Sequence, residues 1–163
     1  AAPPAGNQWD NVLRELETGR AQALYTSAPP ARAFPGTHRW MSDPAAGLPA
    51  WLELRWPEAV VVREVQLVFD TGQHRFLTLS QAEGYTRRMC WGTPQPETVR
   101  DYRIEIETAD GNWTALHAER GNYQRRRTHR FPPPAPVTRA LRVVVETTHG
   151  LDHARIFELR VYA

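Results

Sequence analysis

Asp101-Tyr-Arg-Ile-Glu-Ile-Glu-Thr-Ala-Asp-Gly-Asn-Trp113 alternates apolar and charged side chains from Tyr102 to Glu107. Successive side chains of a strand point to opposite faces. Tyr102, Ile104 and Ile106 therefore share one face and Arg103, Glu105 and Glu107 the other, the pattern of a strand buried on one side. Asp110-Gly111 then turns the chain. Outward from this hairpin, similar patterns predict strands at Trp51 to Trp56, Val61 to Phe69, Thr114 to Ala118, Tyr123 to Phe131, Ala140 to Glu146 and Phe157 to Tyr162. In the last two, Leu141, Val143 and Val145, and Phe157, Leu159 and Val161, are expected to face the core. One helical face is visible: Trp9, Val12, Leu13 and Leu16 follow the i, i+3, i+4, i+7 spacing, with Asn7 placed to cap the start and Gly19 the end. Many short strands with turns between them, and one short N-terminal helix, predict an all-β antiparallel β-sandwich.

At 163 residues the chain fits one domain, which buries roughly two thirds of its unfolded surface. Residues 1–6, Ala-Ala-Pro-Pro-Ala-Gly, read as a linker, so that the chain is expected to be a module cut from a longer protein, with residues 7–163 as a single sandwich domain. No apolar run is long enough to span a bilayer as a helix, and no targeting signal is visible. All 20 basic residues are arginine. That reflects either a GC-rich genome or a use for planar guanidinium forks, which suit carboxylates, sulfates and sugar hydroxyls. A net charge of +2 does not argue for nucleic acid, whose phosphates call for a concentrated basic face. The single Cys90 excludes an internal disulfide.

Asp70 to Thr98 shows no sustained period, and structureless loops of that length are often functional. Its Gln73-His-Arg-Phe76, Tyr85 and Arg87-Arg-Met-Cys-Trp91 mix aromatic rings with cationic donors. That mixture suits a binding surface better than a spacer.

The order Trp51 to Leu54, Val62 to Leu67, Tyr102 to Trp113, Arg139 to Arg142 and Glu158 to Tyr162 resembles the coagulation factor V/VIII C-type, or discoidin, domain over about residues 28 to 162. The resemblance implies a galactose-binding-domain-like jelly roll that binds through loops at one end, here Ala28 to Asp43, Asp70 to Thr98, Glu119 to Arg126 and Thr147 to Arg155. Family members bind carbohydrate, phospholipid head groups or proteins. Arg39-Trp-Met-Ser-Asp43, Phe69-Asp-Thr71, Gly121-Asn-Tyr-Gln-Arg-Arg-Arg127 and His153-Ala-Arg155 are also similar to the C-terminal segment of some bacterial flavin-dependent oxidoreductases. This second likeness implies a module attached to a catalytic partner, although no flavin-binding glycine pattern is present.

A sugar site needs an aromatic face for the C–H side of the ring and planar polar groups for its hydroxyls. Trp40, Tyr85, Trp91 and Tyr123 are candidates for the face; His38, Arg39, His74, Arg75, Asn122, Arg125, His149 and Asp152 are candidates for the hydrogen bonds. The resulting expectation is a non-catalytic carbohydrate-binding module, extracellular or periplasmic and monomeric, that carries a linked enzyme to a polysaccharide or oligosaccharide. The alternative is a structural or protein-docking module of a multidomain oxidoreductase. A membrane-surface role through Phe76, Leu77, Met89 and Trp91 lacks lysine-rich flanks. No cofactor is expected beyond a structural calcium that the family resemblance implies. For that ion Glu158 matches the C-terminal ligand, but Pro35-Gly36 stands where an Asp-Gly turn is expected.

Two further signals point elsewhere. His149-Gly-Leu-Asp-His153 has histidines four apart, but Gly150 and a loop setting weaken a shared metal, and a zinc protease needs a Glu after the first histidine. Arg125-Arg-Arg127, with Arg120 and Arg130, alternates faces and so predicts a solvated edge with partners among Glu105, Glu107 and Glu146 rather than a phosphate stripe. Arg125, nearest the loop, is its best ligand candidate.

Overall fold

The structure, a computed structural model, describes residues 39–72 and 92–163. The helix expected around Trp9 to Leu16 lies outside these residues. The described residues form strands β1 (Trp40–Met41), β2 (Ala50–Val61), β3 (Glu64–Phe69), β4 (Val99–Glu107), β5 (Trp113–Glu119), β6 (Arg126–Arg130), β7 (Val137–Thr148) and β8 (Arg155–Tyr162). They pair into two four-stranded antiparallel sheets, ordered β1-β8-β3-β6 and β2-β7-β4-β5. The chain is an all-β sandwich, as its alternation predicts. Among the described residues no helix is long and apolar enough to cross a membrane.

The core follows the period-2 pattern. Tyr102, Ile104 and Ile106 of β4 and Leu141, Val143 and Val145 of β7 meet Val65, Leu67 and Phe69 of β3 and Ile156 of β8. Phe69 packs against Tyr102 with ring centroids 5.0 Å apart, a tilted geometry favoured by the ring quadrupoles. Each such side chain, fully buried, contributes about 1.5–3 kcal/mol. The β4–β5 hairpin closes at Asp110-Gly111, where Gly111 has φ of 77°, the left-handed backbone that only glycine adopts freely.

The strand ends and one register differ from the sequence expectation. Val61 ends β2 rather than opening β3; the chain turns at Val62 and Arg63, and Val62 is itself fully buried, so apolar patterning runs through the turn. β6 begins at Arg126, leaving Tyr123 in the preceding loop. In β8 the register slips where Val68 faces Glu158 but Phe69 faces Ile156, so Ile156 enters the core and Phe157 does not join it, whereas Leu159 and Val161 pack against it as expected.

Register fixes which loops share an end. Ala50 faces Val145, Val99 faces Thr148, Tyr102 faces Glu119, Phe69 faces Ile156 and Met41 faces Arg155. The β1–β2, β3–β4, β5–β6 and β7–β8 connections therefore all emerge at one end of the sandwich. The short β2–β3 and β4–β5 turns and the β6–β7 connection occupy the other.

Candidate functional site

Asn122 ties the loops of that end together. Its side-chain amide donates to the Val99 carbonyl at 2.7 Å and to the Gln124 carbonyl at 3.2 Å, while its Oδ1 accepts from the Gln124 amide at 3.1 Å. Its own amide donates to the Arg100 carbonyl, and its carbonyl accepts from His149 Nε2 at 2.7 Å. The carbonyl can only accept, so Nε2 carries a proton in this bond. The His149 amide reaches the Thr98 carbonyl at 3.0 Å, which joins the β7–β8 loop to the segment entering β4. There Gly150 lies so close to Pro96 that a Cβ would meet the proline Cβ at 2.9 Å.

Asp101 anchors the same loops from β4. Its carboxylate accepts from the Gly121 amide (2.9 Å), the Thr147 hydroxyl (2.6 Å) and Arg100 Nε (3.0 Å). Desolvation raises its pKa, but these three donors outweigh it and hold the group at about 2, against an ordinary 3.8. A carboxylate with a depressed folded pKa stabilises the fold above its unfolded pKa and loses that contribution as pH falls through the folded value. Between pH 3.8 and about 2 the wild type is thus expected to lose about 2 kcal/mol through this group. Asp101→Asn should be less stable at pH 6 and show a flatter decline to pH 3; parallel urea midpoints for both proteins across that interval would refute this.

A buried charged chain runs beside these loops. Arg39 Nη1 pairs with Asp70 Oδ2, and Arg155 Nη1 lies 3.7 Å from the same oxygen, with all three side chains almost fully enclosed. Asp70 Oδ1 accepts from the Gly72 amide at 2.8 Å. Arg155 Nε donates to His153 Nε2 at 2.9 Å, so the His153 proton sits on Nδ1 and is donated to Asp152 at 2.7 Å. The hydrogen bond from His153 holds Asp152, 73% exposed, below the usual carboxylate range.

The candidate residues divide accordingly. His38, His74, Arg75, Tyr85 and Trp91 lie outside the described residues. Arg39 and Trp40 are corrected: pairing of β1 with β8 draws both into the sandwich, so Arg39 is 1% exposed against Asp70 and Trp40, at 7%, belongs to the core. Asn122 is likewise corrected, because it is buried and both its amide protons serve the loop scaffold. Tyr123, 66% exposed, stands on the rim that Asn122 builds. Arg125, His149 and Asp152 belong to the same end. Among the described residues Arg125 Nη1 is enclosed without a hydrogen-bond partner, and its guanidinium lies over the Phe157 ring, 5.1 Å from the centroid. Sequence reasoning placed Phe157 in the core; the β8 register slip that frees it leaves no mark in the alternation.

Other charged residues form ion pairs. Glu158 accepts from Arg160 Nε at 2.7 Å on β8, and the Pro35-Gly36 turn of the expected calcium site lies outside the described residues. Of the arginine run, Arg120 does reach Glu146, but Arg127 pairs with Glu119 and Arg130 with Glu64. Glu105 and Glu107, expected partners, are taken by Arg103, Arg142 and Arg55 on the outer face of the β2-β7-β4-β5 sheet.

No protein-family model matches the sequence, and no curated protein matches it. The fold is shared with solved carbohydrate-binding modules. The family 32 module of Clostridium perfringens NanJ, solved in complex with galactose, aligns with a TM-score of 0.56 at 16% identity over 77% of this chain and 76% of that one. The family 32 module of Streptococcus pneumoniae EndoD gives 0.54 at 14% identity over 83% and 90%. Chitosan-binding module 1 of a Paenibacillus sp. IK-5 chitosanase/glucanase gives 0.55 at 14% identity over 90% and 86%. At these identities the likeness is one of fold.

Proposed function

We propose that this chain is a non-catalytic carbohydrate-binding module that binds sugar at the loop end of the sandwich, around Tyr123, Arg125, His149 and Asp152. The observation that carries the reading is an exposed aromatic ring held on a rigid rim: Tyr123 follows Asn122, whose backbone and side chain are bonded to three neighbouring segments. An exposed tyrosine offers an apolar face to a sugar ring, at the same end of the sandwich as the His149 imidazole and the Asp152 carboxylate. The fold shared with carbohydrate-binding modules supports it. In this reading the module acts as a monomer outside the cytoplasm, keeping a linked enzyme near its polysaccharide by raising the local concentration.

Affinity for one site should be weak, roughly micromolar to millimolar, because one stacked ring and a few hydrogen bonds must exceed the cost of association. The test is retardation of the domain in native gels containing neutral and acidic polysaccharides. Tyr123→Ala should weaken retardation about tenfold, the effect of roughly 1.4 kcal/mol of lost stacking, with an unchanged urea midpoint. Equal retardation of the variant would remove Tyr123 from the site. No retardation by any glycan would overturn the reading in favour of docking against a linked domain.

A further inference from the structure

Among the described residues β5 ends one sheet and β6 the other, and polar side chains face each other across that seam. His117 and Glu119, two apart on β5, share its inner face, since their cross-strand neighbours are the buried Ile104 and Tyr102. His129 on β6 faces inward opposite the buried Val65. One ligand atom from each of His117, Glu119 and His129 lies within 4.8 Å of the other two.

We propose that these three side chains form a divalent transition-metal site, best suited to Zn²⁺, that clamps the two sheets together at their open edge. Two imidazoles and one carboxylate are a zinc donor set, and metal–ligand bonds of about 2.0–2.2 Å place tetrahedral ligand atoms about 3.3 Å apart. His117 Nε2 and Glu119 Oε2 already stand 3.2 Å apart. The third ligand atom, on His129, lies within 4.8 Å of both.

An outer shell is also present. The Tyr102 hydroxyl lies 2.8 Å from His129 Nε2. A hydroxyl can accept as well as donate. By accepting from Nε2–H it would leave Nδ1 for the metal, the usual way a neighbouring group fixes the tautomer of a histidine ligand. Arg127 pairs with Glu119 through Oε2, the oxygen that also meets His117, and its other amino group is held by Gln124 at 2.9 Å. In the metal-free protein Arg127 supplies the positive charge that Glu119 needs; with metal bound, it can remain on one carboxylate oxygen while the other turns to the ion. Three protein ligands leave the fourth position to water.

The site is separate from the sugar-binding reading, and its test does not depend on any glycan. Untagged protein is stripped with chelator, titrated with Zn²⁺ and followed by metal analysis after dialysis and by thermal melting; Co²⁺ provides a visible absorption band diagnostic of tetrahedral ligation. One equivalent of bound Zn²⁺, a melting temperature that rises with free Zn²⁺, and at least a tenfold loss of affinity in both His117→Gln and Glu119→Gln are expected. Substoichiometric binding by the wild type overturns the proposal without recourse to any variant. So does a wild-type equivalent of zinc that both variants retain at full affinity, since the ion would then sit on other histidines.

Discussion

Asp70→Asn is expected to lower the free energy of unfolding by about 3–5 kcal/mol, the loss typical when one partner of a buried ion pair is removed. Asp70 is fully enclosed between the guanidinium groups of Arg39 and Arg155, themselves almost fully buried. Asparagine keeps the volume and can still accept from the Gly72 amide, as Asp70 Oδ1 does at 2.8 Å. Its other terminus would be an NH₂ group pointed at a guanidinium, donor against donor, and the negative charge of Asp70 would be lost from between two buried cations. The result would appear as a lower urea midpoint with an unchanged slope, because the surface exposed on unfolding is the same. Glu107→Gln is the control: its pair with Arg55 is solvent-exposed, and such pairs contribute about 0–1 kcal/mol. A loss at Asp70 no larger than at Glu107 would mean that the buried network does not hold β1 to β3 and β8.

What the sequence discloses depends on whether a feature is periodic or pairwise. Tyr102, Ile104 and Ile106 face the core because period-2 alternation is a local consequence of strand geometry, and all three are buried. Alternation cannot locate a turn whose own residue is buried, and so Val62 hides the boundary between β2 and β3. Nor can it register a slip such as the one in β8, which exchanges Ile156 for Phe157 in the core. Trp40 reads as a loop aromatic because β1 is two residues long, too short for any period, and only pairing with Ile156 shows it to be core. The loop end was anticipated through the family resemblance, which implied the β3–β4, β5–β6 and β7–β8 connections but placed the first loop at Ala28 to Asp43, where Trp40–Met41 is instead strand β1. The polar partners within it were not: Arg39 with Asp70 spans 31 positions and His149 with Asn122 spans 27, and no local spacing rule reaches that far. The same holds across the seam, where His117 and His129 have ring centroids 4.0 Å apart but belong to edge strands of different sheets.

Asn122 sharpens the difference between a residue that touches ligand and one that builds the platform for it. Asn122→Ala should destabilise the domain by about 2–3 kcal/mol, because it leaves the buried Val99 carbonyl without its side-chain donor at 2.7 Å and the Gln124 amide without its acceptor at 3.1 Å. Each lost partner of a buried polar group carries about 1–3 kcal/mol, whereas truncating an exposed side chain usually moves stability by less than about 0.5 kcal/mol. Urea midpoints separate the two cases directly. Asn122→Asp extends the comparison: its carboxylate can still accept from the Gln124 amide, but it would face the Val99 carbonyl as a second acceptor, so it should recover little of the loss at neutral pH. If Asn122→Ala is instead as stable as the wild type and only glycan retardation suffers, Asn122 is a ligand contact and the rim around Tyr123 is held by something else. If stability falls and retardation persists under conditions where the variant is folded, the side chain serves the scaffold alone, and the exposed ring of Tyr123 is presented by the remaining backbone bonds of Asn122, its amide to the Arg100 carbonyl and its carbonyl from His149.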